Sequence, residues 1–374
     1  MSKAKLIFDC PERNADLYYA TGFLAPDDVL FLETGGKKYF ILSDLEFERG
    51  RKEAKVDKVF SITTFAKKVK KKKNRQAADV IAELLKSFRI RKVMVPRNTA
   101  FTIVDGLRRL GIKIEAGPHP FYPERTIKTP KELGWMEEAQ RAVFQAIGRA
   151  EKILREAAVR RGFLYWKEKI LTSERMRREL DFFLMARGFH NPMQPIVAGG
   201  LQSCDPHNVG SGPLKPHQSI IVDVFPSSDK TRFWGDATRT FCKGKAPEAL
   251  KKQYAAVKTA QERAIAQIKA GINGRKIYKG VVDYFEKEGY PTKAIDGFKQ
   301  GFIHGVGHGI GLEIHEEPVR ISNVDFTLKA GHAVTVEPGL YYRKVGGVRL
   351  EDIVCVTKKG CRPFPTYPKQ LEIL

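Results

Sequence analysis

Four acids and a glycine-rich run of histidines are the parts of this sequence most suited to chemistry. Asp223 closes the apolar run Ser219-Ile-Ile-Val-Asp223, and Asp236 follows 13 residues later in Gly-Asp-Ala-Thr-Arg-Thr. Glu337 closes a second run, Ala333-Val-Thr-Val-Glu337, and Glu351 follows 14 residues later in Val-Arg-Leu-Glu-Asp. The two stretches are related upstream as well: Leu214-Lys-Pro-His-Gln-Ser-Ile-Ile-Val-Asp223 resembles Leu328-Lys-Ala-Gly-His-Ala-Val-Thr-Val-Glu337 with a one-residue slip. An acid on a strand is ordinarily a surface residue. If two such hairpins face one another, however, four carboxylates converge in a core of Ile, Val and Phe. Desolvation alone costs on the order of several kcal/mol per ion, so something cationic must sit between them. Between Gly301 and Pro318, three histidines (His304, His308 and His315) stand among glycines, which let backbone approach a crowded centre closely.

Those residues need elements to carry them. Two apolar runs between Val29 and Leu42 flank Thr34-Gly35-Gly36-Lys37, a hairpin pattern. Ala77 to Phe88 has helical periodicity, and Lys92 to Pro96 reads as a short strand ended by proline, so the first part is a small α/β unit. Gly117-Pro-His-Pro-Phe-Tyr-Pro123 then marks a boundary near residue 125. Beyond it, helices are expected from Lys131 to about Ala158, Ser173 to Arg187, Pro247 to Ala270 and Arg275 to Lys287. Strands are expected at Ser219–Phe225, Phe233–Phe241, Ala333–Val336 and Val348–Thr357. Alternation along a strand puts Asp236, Thr238 and Thr240 on one face, and Arg349 and Glu351 on another.

The run from His304 to Glu316, together with the four acids, resembles the proline-specific metallopeptidases, prolidase and aminopeptidase P, which share a catalytic fold with methionine aminopeptidase and creatinase. The resemblance implies an α/β (α+β) protein. Residues 126–374 would form a C-terminal pita-bread domain with pseudo-twofold symmetry, and residues 1–125 a smaller creatinase-like N-terminal α/β domain. It implies five metal ligands: Asp223, Asp236, His308, Glu337 and Glu351. The interval between the two aspartates is two residues longer than the family's common one, which a longer hairpin tip at Ser227–Arg232 would absorb. Such a donor set is a hard, oxygen-rich site for two divalent ions, with manganese first and cobalt, zinc or iron as alternatives. Asp236 and Glu351 would bridge the ions.

The implied reaction is hydrolysis of the bond between an N-terminal residue and a following proline, by a hydroxide held between the two ions. The leaving nitrogen belongs to a ring and must be protonated as the bond breaks. Glu337 is the implied proton shuttle. His207 and His315 are candidates for contacts to the carbonyl and the tetrahedral intermediate, and His304 for defining the proline pocket. Thr238 and Arg349 are candidates for supporting a carboxylate ligand from behind. The alternative within the class is a prolidase restricted to Xaa-Pro dipeptides, which needs a cation for the free proline carboxylate. A non-catalytic basic binding protein on the same fold should have lost a ligand, and all five are present. Creatinase uses no metal ligands.

Composition bounds the rest. The chain has 374 residues, 42% hydrophobic and 29% charged, which is a folded composition, and no apolar run reaches eighteen residues. A cytoplasmic location without membrane contact follows as an expectation, with the five scattered cysteines as free thiols in a reducing compartment. The formal charge is +23. Residues 1–125 carry 26 basic and 16 acidic side chains, leaving +13 for the remainder, so the excess is spread and not a tail. Lys70–Lys73 form the one dense cluster. Contact with nucleic acid or another polyanion is the less favoured reading of this charge. The expected partners are short proline-containing peptides and, by the family resemblance, a second copy of the chain in a homodimer.

Overall fold

The runs Val29–Thr34 and Lys37–Leu42 form the expected hairpin, with Thr34 opposite Lys37 and both glycines of the turn at positive φ. In the computed structural model residues 3–69 and 76–374 are described, and the Lys70–Lys73 cluster lies outside them. The chain divides into two units, Met1–Arg125 and Thr126–Leu374.

In the first unit the hairpin belongs to a six-stranded mixed sheet. Lys5–Asp9 pairs antiparallel with Val29–Thr34 and parallel with Lys92–Val95, while Lys58–Ser61 and Lys113–Ala116 form the edges. The three strands without a hairpin or proline signal were not evident in the sequence. Helix Ala77–Ser87 covers the sheet with Val80, Ile81, Leu84 and Leu85, all buried, and is capped reciprocally by Gln76 and Asp79.

The second unit repeats one plan twice. Helix Pro130–Glu156 starts at a capping box in which Thr129 and Glu132 satisfy each other's backbone N–H, with Pro130 in its first turn. Its apolar stripe, including Ala139, Val143 and Ile147, packs on Val222, Ala237 and Phe241 of the strands Ile220–Val224 and Ala237–Lys243. Helix Glu248–Gln267 does the same in a separate cluster, setting Val257, Ala260 and Ala264 against Val334, Val336 and Leu340. Each long helix has a shorter companion, Ser173–Met185 and Gly274–Lys287. The first hairpin sits in a four-stranded sheet between Ile196–Gly199 and Glu372–Ile373. The second sheet has three strands, with Asp352–Val356 between Ala333–Val336 and Cys361–Pro363.

Two strand expectations need correction. The run Val348–Thr357 is not one strand: Gly346–Arg349 pairs with Gly339–Tyr342, and Asp352–Val356 pairs with Ala333–Val336. The break falls where side chains capture the backbone. Gln261 Nε2 donates to the Leu350 carbonyl at 3.1 Å, and Arg239 Nη1 to the Glu351 carbonyl at 2.7 Å. The strand expected from Phe233 enters the ladder only at Ala237, because Gln140 from the long helix both donates to the Asp236 carbonyl and accepts from its N–H, each at 2.9 Å. Between the two aspartates Ser227–Ser228 pairs with Phe189–His190. All five cysteines are free. No helix among the described residues is long and apolar enough to cross a membrane.

Candidate metal centre

The breaks in the ladders place the acids. Asp223 lies in a central strand opposite Thr238, whereas Asp236, Glu337 and Glu351 lie at strand ends, free to turn inward from a fixed backbone. The Glu337 N–H donates to the Val306 carbonyl at 2.7 Å, and the Glu351 N–H to the Thr238 carbonyl at 3.1 Å. His308 arrives on the two-residue strand Gly307–His308, paired with Arg320–Ile321. Its N–H donates to Thr335 Oγ1 at 3.1 Å. Gly307 is required here, since a Cβ at that position would lie 1.9 Å from the Thr335 carbonyl oxygen.

His308 Nε2 stands 3.5 Å from Glu337 Oε1, 3.6 Å from Asp236 Oδ2 and 4.0 Å from Glu351 Oε1. One donor atom each from Asp236, His308 and Glu351 all fall within 4.8 Å of one another, a spacing that bonds of about 2.0–2.5 Å to a single ion span. His308 Nδ1 is 3.1 Å from the Gly309 carbonyl and therefore carries the proton, which leaves the Nε2 lone pair aimed at carboxylate oxygens. Burial, followed by the neighbouring His315, holds His308 down at about 3, so imidazolium cannot supply the missing positive charge. Burial raises the carboxyls in turn. Asp236 is pushed well above the usual carboxylate range by burial and then by Asp223, and Glu351 by burial and then by Asp236. Glu337 is pushed up to about 8 by burial, opposed by Arg349. Asp223 Oδ1 is buried without a hydrogen-bond partner. Acceptors crowded on acceptors, one of them orphaned, are what a donor set for a divalent cation requires, so the residues fit such an ion.

Support comes from behind. Arg349 donates through Nη2 to Asp223 Oδ2 at 2.6 Å and through Nε to Thr238 Oγ1 at 3.2 Å; Thr238 in turn donates to Glu351 Oε2 at 2.8 Å. Arg349 and Glu351 are thus linked through Thr238 and not by strand alternation. Arg349 Nη1 also donates to Tyr341 Oη at 3.0 Å. His304 Nδ1 lies 2.7 Å from the Gly305 carbonyl, so Nε2 accepts the Tyr341 hydroxyl at 2.8 Å. Burial holds His304 at about 3, in keeping with that neutral form.

These side chains line one cavity of about 640 Å³, where Asp223, Asp236, Glu337 and Glu351 meet His304 and His308. His207 and His315 line it too and are exposed; His315 lies edge-on to His308, with ring centroids 4.4 Å apart. Every residue expected at the site from the sequence borders this cavity or contacts a carboxylate that does. His217, His332 and His190 make other contacts, to the Lys245 carbonyl, the Lys329 N–H and Asp229.

Several residues of the site carried no recognisable signal. Tyr341, Gln140 and Gln261 act over separations of 8 to 96 residues. Arg239, fully buried, pairs with Asp352 at 2.6 Å. Lys128 and Glu316 form an ion pair with both side chains 1% exposed, fixing the segment just after His315. Trp234, two residues before Asp236, donates its indole N–H to the Leu312 carbonyl at 3.2 Å and its backbone N–H to the Gly311 carbonyl at 3.0 Å.

Residues 134–358 match the family model for metallopeptidase family M24. The match covers more than half of the chain, and the chain belongs to that family. It is 31% identical over 253 residues to the Xaa-Pro dipeptidase of Pyrococcus furiosus (strain ATCC 43587 / DSM 3638 / JCM 8422 / Vc1), covering 66% of this chain and 65% of that protein. The chain spans about two thirds, 65%, of the curated relatives it matches first. Its fold is the pita-bread fold of solved relatives. The Xaa-Pro dipeptidase from Bacillus anthracis superposes with a TM-score of 0.82 at 27% identity, covering 100% of this chain and 95% of that one. The X-Pro aminopeptidase from Thermotoga maritima MSB8 superposes with a TM-score of 0.81 at 22% identity, covering 100% and 97%.

Proposed function

We propose that this protein is a metal-dependent exopeptidase that removes the first residue from peptides with proline second, using two divalent ions held by Asp223, Asp236, His308, Glu337 and Glu351. The observation that carries the reading is the His308 Nε2 lone pair facing three carboxylate oxygens in an open cavity. A divalent ion bound there supplies Lewis acidity to a peptide carbonyl and makes a neighbouring water acidic enough to attack at neutral pH.

The chain's own side chains do the rest. Glu337, on the wall of the cavity that His308 and the other carboxylates share, takes a proton from the attacking water and returns one to the leaving proline nitrogen, which has no N–H of its own. His315 and His207, exposed on the cavity wall, offer N–H donors to the oxygen that gains charge. His304, held by Tyr341, and Ile303 beside it bound the space for the proline ring. Specificity for proline is supported by the names of the relatives, an Xaa-Pro dipeptidase of Pyrococcus furiosus and an X-Pro aminopeptidase of Thermotoga maritima. The dipeptidase names support a second reading, a prolidase confined to Xaa-Pro.

The test is hydrolysis by chelator-treated protein, with Mn, Co or Zn restored, of Xaa-Pro, Xaa-Pro-Yaa and Met-Ala-Yaa. Metal-dependent cleavage before proline is expected. Preferential release of methionine before alanine would overturn the proline assignment.

A further inference from the structure

A second cavity, of about 490 Å³, adjoins the first, and the two share Pro206 and Ile303. Tyr341 lines the second cavity while its hydroxyl holds His304 in the wall of the first. Lys299 and Arg343 also line the second cavity, and neither has a carboxylate partner among the described residues. Arg343 is nevertheless placed: its backbone N–H donates to Gln300 Oε1 at 2.8 Å, and its guanidinium lies 4.0 Å from the Phe298 ring centroid. Lys299 stands on the hairpin Lys293–Ile295/Phe298–Gln300, opposite Ala294. Asp205, the acid on the same wall, accepts the backbone N–H of His207 at 3.3 Å.

The first cavity is different. Among the described residues that line it, Arg349 is the one lysine or arginine, and its guanidinium is committed to Asp223, Thr238, Tyr341 and the Pro206 carbonyl. A free carboxylate on proline would meet no uncommitted ammonium or guanidinium there. An extended peptide advances about 3.3–3.6 Å per residue, so one or two residues past proline would carry it over the Pro206–Ile303 rim.

Resting on the peptidase reading, we infer that the second cavity is the subsite for the peptide segment beyond proline, and that Lys299 and Arg343 receive its C-terminal carboxylate. The preferred substrates are therefore peptides of three or four residues, and the dipeptide is the poorer one.

Two measurements decide it. In the first, kcat and KM are determined for Ala-Pro, Ala-Pro-Ala, Ala-Pro-Ala-Ala and the tetrapeptide amide, using wild type and the Lys299→Gln/Arg343→Gln variant with manganese. The free tetrapeptide should lose about five- to tenfold in KM on amidation or in the variant, with no further loss when both are combined. Its kcat, and the kinetics of Ala-Pro, should be unchanged. Equal losses for acid and amide, or Ala-Pro as the best substrate, would overturn the inference. In the second, Pro-Ala-Ala and its amide are titrated calorimetrically into both proteins. Preference for the acid that disappears in the variant supports the subsite even if no peptide is cleaved, a result that would defeat the peptidase reading alone. Identical binding of acid and amide to wild type would overturn the subsite.

Discussion

At the scale of single residues, the site is a set of crowded acceptors whose mutual repulsion a divalent cation relieves without protonating them. Replacing Asp236 or Glu351 by alanine should lower kcat/KM by at least about three orders of magnitude, roughly 4 kcal/mol of transition-state stabilisation, in the Xaa-Pro assay. Full activity in either variant would show that these carboxylates do not hold the ions. Thr238→Val leaves the ligand in place but removes the 2.8 Å hydrogen bond to Glu351 Oε2, and a metal titration should show affinity weaker by about 10- to 100-fold. Asp223 and Glu337 stood out because each ends an apolar run, and the histidines because they stand among glycines, whereas the choice of His308 and the full set of five candidate ligands came from the family resemblance. Tyr341 and the helix glutamines were not legible, because a polar residue on a helix or strand gives no local hint of which distant carbonyl it will meet. The same distance hid the ordering of Arg349 and Thr238 between Asp223 and Glu351.

At the scale of elements, long helices and their caps could be read from periodicity and the Thr129–Glu132 capping box, while strand limits could not. Val348–Thr357 alternates and then runs apolar as one strand would, and contacts from elsewhere in the chain, the side chains of Gln261 and Arg239 and the Thr238 carbonyl, break it at Leu350 and Glu351. The loop carrying His315 depends on a similar long-range contact, the buried Lys128–Glu316 pair. Glu316→Leu removes a carboxylate paired with the buried Lys128 ammonium and should cost about 3–5 kcal/mol in denaturant unfolding. Adding Lys128→Met should recover most of that loss, because a paired apolar replacement leaves no isolated charge. If the double variant were no more stable than the single one, the pair would not be what holds this segment.

At the scale of the whole molecule, the crowded carboxyls make folding depend on pH in a direction opposite to that of ordinary ion-paired acids. Glu337 titrates at about 8, and Asp236 and Glu351 are raised well above their usual range by burial. The folded chain therefore holds protons that an unfolded chain has released, and this stability is complete at low pH and lost as pH rises through the folded values. His304 and His308, held at about 3, act the opposite way below pH about 6.5, where an unfolded chain charges them. The window free of that opposition runs from about pH 6.5 to about 8. There the chelator-treated protein should lose stability as pH increases, with a slope of order 1 kcal/mol per unit, while saturating manganese should flatten or reverse it. A melting temperature that stays level or climbs across this window without metal would contradict the carboxyl assignments.

The bonds from Trp234 to the carbonyls of Gly311 and Leu312 tie an indole to the segment between His308 and His315. The chain has three tryptophans, so changing Trp135 and Trp166 to phenylalanine would leave one tryptophan, bonded to the segment between His308 and His315. Ion loading and substrate arrival then become optical events, readable from the emission of the native chain without any added dye.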